Sequence, residues 1–211
     1  MKKHAGAPDK ATLTRWRQDI AIEADIDGTS LSLISTWGLF SPESVDEGSR
    51  LLLRYMDVGR SDDILDLGCG YGVLGLTLAK RAPEGRTLLV DKDFVAVEYA
   101  RRNIARNHLN NAEAQLSNGL QHIDTHQFFD HVVCNLPAKA SKEQHYLFLV
   151  DAYAHLKPGG RMTLVTINGL REFMARTLHE VFGNHEKLKQ GSTYTVTAAI
   201  KTHPLPHGRG V

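Results

Sequence analysis

Between residues 19 and 34 apolar and polar positions alternate with period two: Ile20, Ile22 and Ile26, then Leu31 and Leu33. Residues two apart share one face of a strand. Asp27-Gly28 in the middle has the chemistry of a tight hairpin turn. A small β-hairpin is therefore expected first. The polar residues before it read as an N-terminal tail over 1–18, disordered over its first ten or so residues. Trp37-Gly38-Leu39-Phe40-Ser41-Pro42 then breaks the pattern as a loop. Ser44 or Asp46 can cap a following helix, whose apolar positions include Leu52, Leu53 and Met56.

From residue 63 short apolar runs alternate with longer segments of helical period. Strands are expected at 63–67, 87–90, 114–116, 131–134 and 162–167, and helices at 73–81, 94–107, 142–156 and 170–182. This alternation predicts βαβ units with right-handed crossovers, and hence a mostly parallel sheet. Residues 185–189 and 194–201 flank Gln190-Gly191-Ser192 and read as a closing antiparallel hairpin. In Leu156-Lys157-Pro158-Gly159-Gly160-Arg161, the proline and glycines stop a helix and turn the chain. The prolines and glycines after His203 mark a fraying tail over 204–211.

Composition narrows the function classes. The chain has 211 residues and is 42% hydrophobic, enough for one globular domain. No apolar run approaches the roughly 20 residues of a membrane span. Met1-Lys2-Lys3-His4 lacks the apolar segment of a signal peptide, so a cytoplasmic location is expected. Lys plus Arg number 25 against 24 Asp plus Glu, which gives no global signal for nucleic acid. Arg15 with Arg17, and Arg101, Arg102 with Arg106, form local clusters, the second reading as a solvated helix face. Cys69 and Cys134 fit neither a zinc pattern nor a disulfide framework and are expected as reduced core residues. His4, His108, His122, His126, His131 and His145 are scattered, read as surface or loop residues, and suggest no metal site.

The chemistry concentrates in Ile64-Leu65-Asp66-Leu67-Gly68-Cys69-Gly70-Tyr71-Gly72-Val73-Leu74, a buried strand entering a glycine turn and then a helix. Such a turn lets a nucleotide-like ligand approach the backbone at the carboxyl edge of a parallel sheet. A dinucleotide fingerprint needs a third glycine at position 73, where this chain has Val73. With Gly68, Gly70 and Gly72, and an acid at Asp66 inside the strand, the segment resembles the first motif of class I S-adenosylmethionine (SAM) methyltransferases.

That resemblance implies SAM as cofactor and assigns roles along the strand ends. Asp66 helps hold the methionine end, directly or through water. Asp91, closing the strand Leu88-Leu89-Val90, accepts the ribose hydroxyls. Asn118 contacts the adenine amino group. Asn135-Leu136-Pro137-Ala138 stands where amino-group methyltransferases carry Asn-Pro-Pro-aromatic. There Asn135, which also borders the cofactor, orients the target amine with the Leu136 carbonyl, and Pro137 keeps the motif's second proline. The aromatic ring, absent at Ala138, stacks on a flipped base in those enzymes. Phe40, Tyr146 and Phe148 are candidates to replace it, and Lys139 is a candidate phosphate contact.

Beyond the superfamily, the chain resembles the catalytic domain of small-subunit ribosomal RNA guanine-N2 methyltransferases and their large-subunit relatives. Gly38-Leu39-Phe40-Ser41 with Asp46, Gly48, Ser49 and Leu51-Leu52-Leu53 carries this likeness, as do Ser117-Asn118 and the terminal hairpin. In that branch Phe40 and Ser41 border the SAM pocket. Two departures from that branch are expected to matter: Ala138, and an additional N-terminal RNA domain of the ribosomal enzymes that is not expected here. The expected fold is α/β, a Rossmann-like seven-stranded, mostly parallel sheet with an antiparallel terminal hairpin, plus the small N-terminal hairpin. It forms one methyltransferase domain over 19–203. The expected function is SAM-dependent N-methylation of a nucleobase amino group in structured RNA, with ribosomal RNA or a ribosomal subunit as partner. A small-molecule or protein methyltransferase, and a SAM-binding scaffold without activity, remain as alternatives.

Overall fold

The structure is a computed structural model that describes residues 7–202. His4 and the tail after Thr202 lie outside the described residues. A short helix, α1 (Lys10–Trp16), capped by Asp9, precedes the hairpin where the sequence suggested no element. It buries none of its residues, so no apolar face announced it. The hairpin β1 (Ile20–Ile26) and β2 (Thr29–Ser35) follows, with Ile26 facing Thr29 across the turn. Asp27 and Gly28 both take positive φ, 49° and 82°, as the two central residues of a type I′ turn require.

The main sheet has seven strands: β3 (Ile64–Leu67), β4 (Thr87–Asp91), β5 (Ala112–Leu116), β6 (Phe129–Asn135), β7 (Leu156–Ile167), β8 (Glu186–Gln190) and β9 (Tyr194–Ile200). Their order is β5-β4-β3-β6-β7-β9-β8, parallel from β5 through β7, with β9 antiparallel to both neighbours. The helices are α2 (Glu47–Arg54), α3 (Val73–Arg81), α4 (Phe94–Arg106), α5 (Lys142–His155) and α6 (Arg171–Phe182). The doubly wound α/β fold with its closing hairpin is thus the one expected from the alternation.

The boundaries differ at one place of note. Lys157-Pro158-Gly159-Gly160, expected as a turn, lies inside the long strand β7. Its backbone is spoken for there: Gly159 N–H donates to the Lys201 carbonyl, and the Gly160 carbonyl accepts from Lys201 N–H. A register shift in the pairing between Phe129 and His131 absorbs the irregularity.

Two cores sandwich the sheet. One joins β1, β2, α2, α3 and α4 through Leu33, Leu52, Ile64, Leu76 and Ala100. The other joins α5 and α6 to the opposite face through Leu65, Leu149, Leu164 and Leu178. Strand β2 is covered by α4 rather than by a third strand. Asn103 Oδ1 accepts from Ile34 N–H at 2.8 Å, and its Nδ2 donates to the carbonyls of Ile34 and Tyr71, both at 2.9 Å. Asn107 repeats the pattern on Ser32. The amides thus satisfy a strand edge and tie it to the glycine turn.

Asn103 is fully buried. Asn103→Ala would strand three backbone groups, at about 1 kcal/mol or more each. Urea unfolding should therefore show a loss of about 2–4 kcal/mol. A loss below about 0.5 kcal/mol would mean that water replaces the amide without cost.

The Arg101, Arg102 and Arg106 cluster is not simply a solvated face. Arg101 donates to the Ala114 carbonyl at 3.0 Å, Arg102 pairs with Asp19, and Arg106 donates to Ser32 Oγ at 2.8 Å. These arginines fasten the hairpin and β5 to α4.

Candidate active site

A cavity of about 550 Å³ opens at the carboxyl ends of β3, β4 and β6. That volume lies within the roughly 300–1,000 Å³ of ligand sites. Its position is the switch point between β3 and β6, whose following helices α3 and α5 pack on opposite faces of the sheet, the usual ligand crevice of open α/β sheets.

The glycine turn forms the floor. Gly68 and Gly70 take left-handed φ of 75° and 56°, and a Cβ on either would meet no atom within 4 Å. The backbone is bare toward the cavity, so a ligand can lie directly on it. Gly72 caps α3 and is not among the lining residues. Asp91 lines the cavity at the end of β4. One of its oxygens accepts from Gly70 N–H at 2.9 Å and the other from Asp93 N–H at 3.0 Å. Each keeps a second lone pair for a ligand hydroxyl.

Asp66 lies beneath the turn, fully buried and not in the cavity wall. Its Oδ2 accepts from Gly75 N–H at 2.7 Å, while its Oδ1 is buried with no partner. Burial pushes this carboxyl up to about 7, against the Gly75 bond and with the Asp91 charge adding to the rise. The folded state thus keeps a proton to about pH 7 that the unfolded chain releases near 4. Stability must fall as pH rises through that window, by up to about 1.4 kcal/mol per unit. Asp66→Asn, neutral throughout, should lack this slope. Urea unfolding of both proteins at pH 5, 6 and 7 tests it, and parallel curves would place the Asp66 charge elsewhere.

Asn118 stands in the turn after β5, exposed, with Nδ2 on Gln121 Oε1 at 3.2 Å. It is not among the lining residues, whereas its neighbours Ser117 and Gly119 are. Phe148 completes that end, its ring 3.3 Å from where a Gly119 Cβ would stand. Ser117, Gly119, Ala96 and Phe148 line the cavity there, small residues beside one ring, a lining that suits a flat heterocycle.

The opposite end carries Phe40, Asn135, Leu136, Pro137, Ala138 and Lys139. Phe40 is 66% exposed, so its ring is offered to a ligand rather than to the core. The loop that carries it is held by Tyr71, whose hydroxyl donates to the Ser41 carbonyl at 3.1 Å. Burial, then the Asp46 charge, push the Tyr71 phenol up to about 12, so it remains a donor. Tyr146 is exposed and not among the lining residues. The Pro137 carbonyl is engaged by Ala140 N–H at 3.2 Å and His145 Nε2 at 3.0 Å. Leu136 is buried, its N–H donating to the Val165 carbonyl at 3.0 Å.

Asn135 is the most constrained of these residues. Its Nδ2 donates to Asp46 Oδ2 at 2.7 Å and to Ser49 Oγ at 3.0 Å. Asp46 also caps α2 through Ser49 N–H at 2.8 Å, and its Oδ1 accepts from Tyr194 at 3.1 Å. All four residues line the cavity.

Sequence reasoning missed several of these parts. His145, expected on the surface, is buried, a correction that its spacing of four from Leu149 and eight from Tyr153 on α5 could have signalled. Asp46 and Ser49 read in the sequence as a helix lead-in, and Tyr194 as part of a hairpin. Nothing local to them announces a partner 86 to 148 residues away. Cys69 and Cys134 are free and buried, and burial raises both thiols well above their ordinary values. Both also border the cavity.

The residues present fit SAM. The bare glycine turn, the Asp91 carboxylate and the Ser117, Gly119 and Phe148 lining match its methionine, ribose and adenine parts, while Asp66 lies beneath the turn and outside the cavity wall.

Comparison with known proteins agrees. A ribosomal RNA small subunit methyltransferase C from Hamiltonella defensa is 34% identical over 77% of this chain and 48% of its own. A ribosomal RNA large subunit methyltransferase G from Shewanella amazonensis is 31% identical, over 93% and 56%. Among solved structures, a T. thermophilus 16S rRNA N2 methyltransferase in complex with AdoMet and guanosine superposes with a TM-score of 0.79. It is 30% identical, over 87% of this chain and 50% of that one. A Pyrococcus furiosus methyltransferase, 24% identical with a TM-score of 0.61 over 79% and 91%, shares the fold. The chain spans about half the length of the curated relatives it matches. The methyltransferase small domain matches residues 30–198, and the chain belongs to that family.

Proposed function

We propose that this chain is a SAM-dependent methyltransferase that N-methylates guanine N2 in ribosomal RNA. The observation that carries the reading is Asn135. Its amide nitrogen is committed to Asp46 and Ser49, which leaves Oδ1 to accept from a ligand at the rim of the SAM-shaped cavity. The names of the ribosomal relatives, and the guanosine in the T. thermophilus complex, support a guanine amine as the target.

A bound SAM supplies an electrophilic methyl group, so the chain's task is alignment. Asn135 Oδ1 and the Leu136 carbonyl accept the two N–H bonds of the amine and turn its lone pair toward the methyl carbon. With SAM bound, the new N–C bond would form as the S–C bond breaks, the sulfur keeping that electron pair. The spare proton then passes from the methylated amine to water, so no general base is required. Phe40 offers the stacking face that Ala138 lacks, a contact of roughly 1–3 kcal/mol per base. Lys139 at the rim faces the neighbouring phosphate. The base must be flipped out of the RNA to reach this depth. Such a substrate fits a cytoplasmic location.

Ala138 favours a second reading, in which the substrate is a small molecule or a protein. Transfer of a labelled methyl group from SAM decides between them. The acceptors are undermodified small subunits, large subunits, transfer RNA, total protein and metabolites. Label recovered as N2-methylguanine in one ribosomal pool is expected. Label only in protein or metabolites would overturn the RNA assignment.

A further inference from the structure

We infer that Asp46 is a positioning residue for methyl transfer: it fixes which end of the Asn135 amide faces the substrate. A carboxamide has two nearly isosteric ends, and only the oxygen can accept an amine N–H. Left alone in a half-buried site, Asn135 could present either end. The structure removes the choice. Asp46 Oδ2 at 2.7 Å is an acceptor only, so it must face the nitrogen, and Ser49 Oγ at 3.0 Å receives the second proton. Oδ1 is left pointing away from both.

Asp46 is itself held from three sides. Ser49 N–H donates to Oδ2 at 2.8 Å, and Tyr194 donates to Oδ1 at 3.1 Å. Burial, followed by the Asp46 charge, raises the Tyr194 phenol, so that hydroxyl stays a donor. Gly48 makes the close approach possible: a Cβ there would stand 3.0 Å from Asp46 Oδ2 and 3.1 Å from the Tyr194 ring. One carboxylate thus joins the first turn of α2, the end of β6 and the start of β9. This inference rests on the reading of Asn135 as amine acceptor.

The test removes the acceptor that faces Asn135 and keeps the helix cap. One oxygen, Asp46 Oδ2, serves both Ser49 N–H and the Asn135 amide. In Asp46→Ser the hydroxyl can still cap α2, but the shorter side chain no longer reaches the Asn135 nitrogen. Turnover should fall about 10- to 100-fold, the scale of a misaligned reacting group. SAM affinity and melting temperature should stay near those of the parent. The double variant Asp46→Ser with Asn135→Asp carries an oxygen at both ends of the side chain, so no end has to be chosen. It should regain at least about tenfold over Asp46→Ser alone. Unchanged turnover in Asp46→Ser, or no recovery in the double variant, would overturn the assignment. Unfolding of both Asp46→Ser and Asp46→Thr, each a competent helix cap, would also overturn it. A readout independent of substrate separates failure of this inference from failure of the RNA reading. The Asn135 side-chain amide protons, followed by 15N NMR in the free protein, should be protected from exchange and lose protection in Asp46→Ser. Equal exchange in the two proteins would sink the inference whatever the substrate proves to be.

Discussion

Asn135→Ala is expected to reduce methyl transfer by at least about 100-fold while leaving SAM affinity within about threefold of the parent. The division follows from geometry. The groups suited to the cofactor sit in the turn after β3, at the end of β4 and in the turn after β5: Gly68, Gly70, Asp91, Ser117 and Gly119. Asn135 ends β6, on the side of Phe40 and Ala138. Removing its amide takes away an acceptor that acts on the amine as it is aligned, so the loss belongs in kcat. The variant also leaves Asp46 without one of its donors. That residue keeps Ser49 N–H and Tyr194, so the fold should tolerate the change. Single-turnover rates with saturating RNA, beside SAM titration by calorimetry, provide the check. Equal loss of binding and turnover would place Asn135 in the cofactor site. Intact turnover would remove it from the mechanism.

What the sequence could and could not show separates by range. The hairpin was legible because Asp27-Gly28 must take positive φ at both positions and the flanking residues alternate. The helix 73–81 was legible because a glycine turn precedes it and apolar residues fill it. The cavity floor was legible for the same reason: a turn that must be bare is written in glycines. The wall was not. Asp46, Ser49 and Tyr194 meet Asn135 only after α2 packs on β7 and β9 is inserted beside β7. Their residue types are ordinary for a helix cap and a strand start. Asn103 is similar: an asparagine inside a helix is locally unfavourable, which hints at a partner. The identity of that partner, the Ile34 backbone, is a tertiary fact. Asn118 stands in the expected turn, and the residues of that turn that border the cavity are its neighbours Ser117 and Gly119.

Asp91→Ala is the second large effect, and it falls on binding. Two hydroxyl bonds to an ionised carboxylate are at stake. A charged hydrogen bond contributes about 1.5–3 kcal/mol, and each 1.4 kcal/mol is about tenfold in Kd. A weakening of SAM affinity by at least about 100-fold is therefore expected. Part of that loss is indirect, because Asp91 also holds the N–H groups of Gly70 and Asp93 and so orders the turn. Ligand variation separates the two contributions. The parent protein should bind adenosine far more tightly than 2′,3′-dideoxyadenosine. If Asp91 accepts the ribose hydroxyls, Asp91→Ala should bind the two about equally, since the partner that told them apart is gone. A turn that merely loosens would weaken both ligands and keep their ratio. Asp91→Asn, with one acceptor oxygen left, should fall between the parent and Asp91→Ala in both affinity and discrimination. An undiminished ratio in Asp91→Ala would assign the hydroxyls to another acceptor and leave Asp91 the narrower task of holding Gly70 in place.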